Sequence, residues 1–432
     1  MSISHRQPQA RKIAVIGGGI SGMGAAHALS KNYDVTLLEA GLRLGGHART
    51  VLAGKSGKQP VDMGFIVFNY ANYPLMTSLF EELDVPVVKS NMSFGASVRG
   101  GSLEYGLASL RSVFAQKSNA LRPKFLKMLA DIFKFNSKGM SIAKGRSLTT
   151  GQFLEELGTG QWFRDYYLLP LSGAIWSTPT QNILDFPAAA MMQFFENHAL
   201  LNYSGQHQWY TVNGGSIQYV TRLERELKIS GVEIRIKAPV TSVQRDAGKV
   251  TITCQGGLPE IYDEVVFATH SDDSLQLLSD ASKEESKLLS AIRYQPNDVV
   301  LHADTSVMPK LKQCWSSWVY TEDKHKTSDK IDLTYWMNSL QPIPKEDPLF
   351  VTLNCTRNIR EDLIFEQTAM RHPVYDLEAW AAQKTLALQN GERQTWFCGA
   401  WMKNGFHEDG LSSALDVVQK IEAKCTFDLA AE

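Results

Sequence analysis

The chain has 432 residues, of which 44% are hydrophobic and 21% charged, with a net charge of −1. That length exceeds one small core and suits two interleaved domains, and the composition excludes a disordered or fibrous protein. The balanced charge gives no overall pull toward nucleic acid, so no nucleic-acid partner is expected. The five cysteines form no Cys-x-x-Cys pair and the ten histidines no His-x-x-x-His pattern, so reduced thiols and no metal site are expected.

In chain order, Met1 to Arg11 is polar with no apolar signal core, and no apolar run reaches the length of a membrane span. A cytoplasmic protein is the expectation. Lys12 to Ile16 reads as an apolar strand. Gly17-Gly18-Gly19-Ile20-Ser21-Gly22 follows, then a helical stretch, a second apolar strand from Val35 to Leu38, and the acid Glu39. Each part has a task in holding a dinucleotide. Gly17 permits the tight turn, Gly19 lets a pyrophosphate approach the backbone, and Gly22 lets the helix pack close to the sheet. The helix start at Ile20 and Ser21 aims free N–H groups and a positive dipole end at the phosphates. Glu39 can accept hydrogen bonds from ribose hydroxyls, and its charge opposes a 2′-phosphorylated cofactor.

Ala40 leads into Gly41-Leu42-Arg43-Leu44-Gly45-Gly46-His47. The adjacent Gly45 and Gly46 suit a second close approach of backbone to cofactor. Arg43 can meet a phosphate or ribose oxygen, although a plain turn with an exposed arginine has the same spacing. NAD dehydrogenases rarely need such a loop, whereas proteins holding an extended FAD do. Strands are expected over Val232–Ile236, Val240–Val243, Val250–Thr253 and Val265–Ala268, and mostly helices over 71–208. Near the end, Thr395 to Ala400 reads as a buried strand closing at Gly399. Gly405 to Leu415 then reads as a glycine turn leading into a helix over Asp416–Ile421. That turn, around Gly410, Leu411 and Ala414, can receive the second phosphate or the polar edge of a flavin. The alternative is a plain docking helix. No second Gly-x-Gly-x-x-Gly appears, so FAD is expected as the one tightly held nucleotide, bound non-covalently.

The first loop, the Glu39-x-x-x-Arg43-x-Gly45-Gly46 segment and the Gly399–Ala414 segment resemble the flavin amine oxidase and phytoene-desaturase superfamily of FAD-dependent oxidoreductases. Val61–Asn69, Ala174–Ser177 and Tyr210–Ser216 look closer to a bacterial group of FAD-binding proteins that accompany cyclopropane-fatty-acid-synthase-like enzymes. The resemblance covers nearly the whole chain. It implies an α/β fold in which a Rossmann-like FAD-binding domain, residues 1–70, 209–289 and 386–432, is interrupted by a mixed α+β substrate domain, residues 71–208 and 290–385. It also implies that His47, Gly64 and Phe65 lie beside the flavin and that backbone near Val240 holds the adenine, Val240 being otherwise a plain core residue. Gly214-Gly215-Ser216 resembles the family's glycine turn beneath the flavin, unless Ser216 is only a helix cap.

Chemistry of this class moves a hydride from substrate carbon to flavin N5, and the protein supplies position and exclusion of water. No acid–base motif can be located, and the catalytic candidates are Phe65, His407 and Leu411. Phe65 either walls the substrate side or packs in the core. His407, with Glu408 and Asp409, either assists proton movement or shapes the turn. Leu411 stands where amine oxidases usually carry a tyrosine of an aromatic cage, which turns the expectation toward an apolar substrate, a fatty acyl lipid that is dehydrogenated or desaturated. An amine oxidase producing hydrogen peroxide is the second reading. A non-catalytic flavoprotein partner of a lipid-modifying enzyme is the third. Trp176, Trp209, Tyr210, Tyr335, Trp336 and Trp401 are candidate pocket aromatics.

From Arg111 to Arg146 nine cations face the single acid Asp131, and Phe125, Leu126, Leu129, Ile132 and Phe133 fall at helical spacing behind Pro123. Such a helix can lie on an anionic membrane, here the inner face, or pack its apolar stripe on its own domain.

Overall fold

The computed structural model describes residues 11–177, 179–202, 205–324 and 330–431, with side chains described as far as Cys425. Most of the polar N-terminal stretch, residues 1–10, therefore lies outside the described residues. Five parallel strands form the nucleotide-binding sheet: β1 Lys12–Ile16, β2 Asp34–Leu38, β3 Glu233–Arg235, β4 Glu264–Phe267 and β5 Thr395–Phe397. Their order is β3-β2-β1-β4-β5. Ile13 to Ile16 are all buried, because a parallel strand covered on both faces carries a continuous apolar run rather than an alternating one. Helix α1, Ile20–Leu29, rich in Gly and Ala, packs against the sheet. The carboxyl ends of β1, β2, β4 and β5 lead to Gly17, Glu39, Ala268 and Gly399, which gathers four distant segments at the sheet edge where ligands bind.

A second sheet of seven strands runs in the order Ile364–Val374, Arg293–His302, Phe350–Leu353, Leu333–Trp336, Trp318–Thr321, Phe94–Val98 and Leu103–Gly106. It is antiparallel except where Trp318–Thr321 pairs with Phe94–Val98. Helices cover it, chief among them α2, Pro123–Ala143, with Pro123 in its first turn. Phe135 anchors this layer, meeting Phe153, Phe163 and Phe195 at ring distances of 6.0, 5.5 and 5.5 Å. All four rings are fully buried.

One local expectation is refined and one needs correction. Residues 71–208 are mostly helical, but three strands, Val87–Ser90, Phe94–Val98 and Leu103–Gly106, follow the first helix, Pro74–Glu82. Two of them extend the large sheet, so long-range pairing overrides the helical reading of their neighbourhood. The last helix, which starts well before Asp416, spans His407–Ala431. The glycine turn is at Gly405, with φ of +95°, and Gly410, Leu411 and Ala414 lie inside the helix.

Candidate active site

The last helix is named α4 here, with α3 spanning Ile217–Ile229 between it and α2. The first turns of α1 and α4 cross over the glycine loop. A Cβ on Gly410 would lie 2.9 Å from Ser21 Oγ and 3.0 Å from Ile20 Cγ2, so the missing side chain lets the two turns touch. The unpaired N–H groups and positive dipole ends of two helices therefore lie side by side. Below them Gly17 adopts φ of +106°, and a Cβ on Gly22 would sit 1.8 Å from Gly17 O. Only glycine permits that fold of the loop onto its own helix. On Gly19 nothing lies within 4 Å of a Cβ position, which leaves open space beside the helix start. Gly46 closes on Gly19 Cα at 3.1 Å by the same measure.

Glu39 accepts the Gly18 and Gly41 N–H groups, each at 2.6 Å. The N–H groups of Ala238 and Lys237 donate to the carbonyls of Glu39 and Gly41, both at 2.9 Å. That pairing sets Ala238, two residues before the half-buried Val240 that heads strand Val240–Asp246, against the backbone of Glu39, and Ala40 beside it is exposed. Arg43 turns inward: its guanidinium donates to Ala48 O at 2.8 Å, Leu44 O at 3.0 Å and Gly46 O at 3.1 Å. It staples the Gly45-Gly46 turn.

The flavin-facing turn meets His47 backbone to backbone. A Cβ on Gly64 would lie 1.9 Å from His47 O, and the Phe65 N–H donates to the same carbonyl at 3.1 Å. Around His47 stand three more imidazoles. The His270 and His372 rings are 5.8 and 5.4 Å away, and His407 stacks on Phe65, whose N–H donates to the His47 carbonyl. His270 stacks on Tyr294 at 4.2 Å, and His372 Nδ1 lies 2.9 Å from the Asn297 amide. His407 Nε2 lies 2.8 Å from the Tyr219 hydroxyl. Burial pushes His270, His372 and His407 down to about 3 and His47 downward, so the cluster is neutral at pH 7. Buried His47 Nε2 and His270 Nδ1 find no hydrogen-bond partner among the described residues. Such atoms cost about 1–3 kcal/mol each unless a ligand satisfies them.

Leu411 does not wall the space beside Phe65. Its Cδ1 occupies the position where a Cβ on Gly24 would lie, and it is buried against α1. His407 holds the place next to Phe65 instead. Ala414 is fully buried, and Gly399, with φ of +154°, is tied to α4 by Ser413 Oγ, which accepts its N–H at 2.9 Å. Ser216 caps no helix with its side chain. Its hydroxyl donates to Asp62 Oδ1 at 2.7 Å. Asp62 is buried and also accepts from Ser216 N, Thr50 Oγ1 and Gln341 Nε2. Burial drives its carboxyl up to about 6 against those hydrogen bonds. Among the pocket aromatics, Trp401 is structural: it is buried and its Nε1 donates to Thr269 O. Trp176 packs between Phe186 and Phe194.

Sequence reasoning missed His270, His372, Tyr219 and Gln341. His270 was discoverable, since it follows β4 at the carboxyl end of a parallel strand. Gln341 lies 279 residues from Asp62 and leaves no local signal. Among the described residues one trio, His270, Asp272 and Asp273, offers metal-ligand atoms, and Arg371 already pairs with both carboxylates at 2.5 Å.

A cavity of 370 Å³ opens beside the first turn of α4, lined by Tyr73, Met140, Phe194, His198, Trp380 and Phe406, with Lys144, Glu408 and Asp409 among its polar groups. Both acids are engaged. Glu408 accepts the Leu75 and Met76 N–H groups at 2.9 Å, and Asp409 accepts that of Phe406 at 2.9 Å. Burial raises both, Asp409 to about 6.

The model of the flavin containing amine oxidoreductase family matches residues 20–354. The chain belongs to this family. Like its family it is a flavin-dependent oxidoreductase, with FAD as its cofactor. The geometry fits that cofactor: the open side of Gly19, the paired helix starts, Glu39 near Val240, and the two unpartnered histidine nitrogens would hold it. Solved structures share the fold at low identity. A putative protoporphyrinogen oxidase from Exiguobacterium sp. 255-15 is 17% identical over 97% of this chain and 100% of its own, with a TM-score of 0.71. A fatty acid isomerase from P. acnes that produces CLA is 15% identical over 96% and 99%, with a TM-score of 0.70. A putrescine oxidase bound to putrescine is 13% identical over 96% and 99%, with a TM-score of 0.67. No curated protein matches the chain by sequence.

Proposed function

We propose that this oxidoreductase dehydrogenates an apolar substrate, a fatty acyl lipid. The observation that carries the reading is the cavity beside α4. One part of its wall is aromatic and aliphatic, Tyr73, Met140, Phe194, Trp380 and Phe406, with Phe194 stacked on Phe406 at 4.9 Å, while Asn72, Gln193, Asn197 and Asn404 are among the polar groups of the rest. Its two carboxylates accept backbone N–H groups and burial raises both, which weakens them as partners for an ammonium. In this reading residues 1–70, 209–289 and 386–432 hold FAD, and 71–208 and 290–385 hold the substrate. Bound FAD supplies the hydride acceptor. Phe65 and His407 wall the reacting region and exclude water. The resemblance to proteins accompanying cyclopropane-fatty-acid-synthase-like enzymes supports the same substrate class, as does the likeness to the fatty acid isomerase.

A chain-length series tests it. Each added methylene should lower the KM of an acyl substrate about fourfold until the cavity is filled. A KM indifferent to chain length would remove the reading. Amine oxidation is the second reading, favoured by the presence of both Glu408 and Asp409 on the cavity wall, and it requires peroxide release with an amine substrate.

A further inference from the structure

Helix α2 buries Phe125, Met128, Asp131, Ile132, Phe135, Gly139 and Ala143 and turns its opposite arc outward. The outward arc carries two stripes at helical spacing. Leu126, Ala130, Phe133 and Ser137 form one, and Lys127, Lys134 and Lys138 run beside it. Leu126 is 44% and Phe133 57% exposed, and Leu110 and Leu121, just before the helix, are 79% and 86% exposed. A helix meant only for water would keep this arc polar.

The charge on this segment is as uneven as the apolar exposure. Its single acid, Asp131, is buried, accepting the Gly160 N–H at 2.8 Å and facing Lys127 at 3.4 Å. Arg146 is neutralised by Glu156, and Lys134 and Arg122 donate to backbone carbonyls. The side chains of Arg111, Lys117, Lys124, Lys138 and Lys144 make no hydrogen bond or ion pair among the described residues. Unpaired lysines interleaved with exposed leucines are what an interfacial helix presents to anionic lipid.

We infer that the face from Leu110 to Lys144 docks on an anionic lipid surface. The contact is peripheral, because among the described residues no helix is long and apolar enough to cross a membrane. Met140 and Lys144, at the carboxyl end of α2, also line the cavity beside α4, so the docked face adjoins the cavity. The inference rests on the surface alone and stands whether the substrate is an acyl chain or an amine.

The experiment is sedimentation of the full, FAD-loaded chain with phosphatidylcholine vesicles, with and without phosphatidylglycerol. Binding should require phosphatidylglycerol and weaken as salt rises. Lys124→Gln with Lys138→Gln should weaken it about 30-fold. Leu121→Ser with Leu126→Ser should also weaken it, and both variants should keep their flavin absorbance, which separates lost docking from lost folding. Three results would overturn the inference: no binding of the unaltered chain at low salt, equal binding to pure phosphatidylcholine, or variants that bind like the unaltered chain. Retention on nucleic acid without vesicle binding would likewise replace lipid as the partner.

Discussion

The imidazole of His407 lies flat on the ring of Phe65, with centroids 4.1 Å apart and planes within 12°. The side chain placed by the sequence on the substrate side is thus held by the first residue of α4, and Tyr219 fixes His407 through its hydroxyl. Removing the imidazole should free Phe65 to move. His407→Ala should slow substrate-driven flavin reduction about 100-fold, as small misplacements do, while FAD content stays unchanged. His407→Phe keeps an aromatic ring on Phe65 and should recover most of the rate, and rapid-mixing absorbance compares the two.

Gly22 tests the nucleotide cradle. The Cβ of Gly22→Ala would lie 1.8 Å from a backbone oxygen that no rotamer can move, so the loop must open. The variant should be isolated with little or no flavin, read as the ratio of visible to ultraviolet absorbance. Full occupancy would mean that the loop does not carry the phosphates.

Asp62 gathers the hydroxyls of Thr50 and Ser216, the Ser216 N–H and the Gln341 amide. Asp62→Asn would set one donor against these donors and should cost about 3 kcal/mol in urea unfolding. The turn at Gly214-Gly215 should loosen with it, lowering FAD affinity in a fluorescence titration.

Acid should destabilise the fold in a defined window. His270, His372 and His407 titrate near 3 in the folded chain and near 6.5 when unfolded, so the unfolded chain binds more protons between those values. Stability is full above 6.5 and falls as pH drops below it, by about 2 kcal/mol per histidine between pH 7 and 5. Asp62 and Asp409, raised to about 6, run the other way and return about 1 kcal/mol each over that interval. Burial also holds His198 and His302 down to about 4, which adds to the loss, so a net fall in stability from pH 7 to pH 5 is expected in denaturant titrations.

The glycine loop, Glu39 and the five parallel strands could be read from the chain because each rests on local spacing: a buried run, a turn that needs glycine, an acid at a strand end. The helix start at His407 could not. The Gly410-Leu411 pair resembles a turn, and only the crossing with α1 shows that Gly410 is helical and small because Ser21 lies against it. Leu411 misled for the same reason, since its side chain answers to Gly24 in a helix almost four hundred residues earlier. The histidine cluster was equally hidden, as His47 and His270 lie in loops after two strands of the nucleotide-binding sheet and His372 lies in a strand of the second sheet.

Anaerobic mixing of the purified holoprotein with fatty acyl lipids and, separately, with primary amines and polyamines tests the substrate assignment most directly. The account predicts that an acyl lipid bleaches the visible flavin absorbance and that amines leave it unchanged. Bleaching by an amine, with no acyl lipid effective, would contradict it.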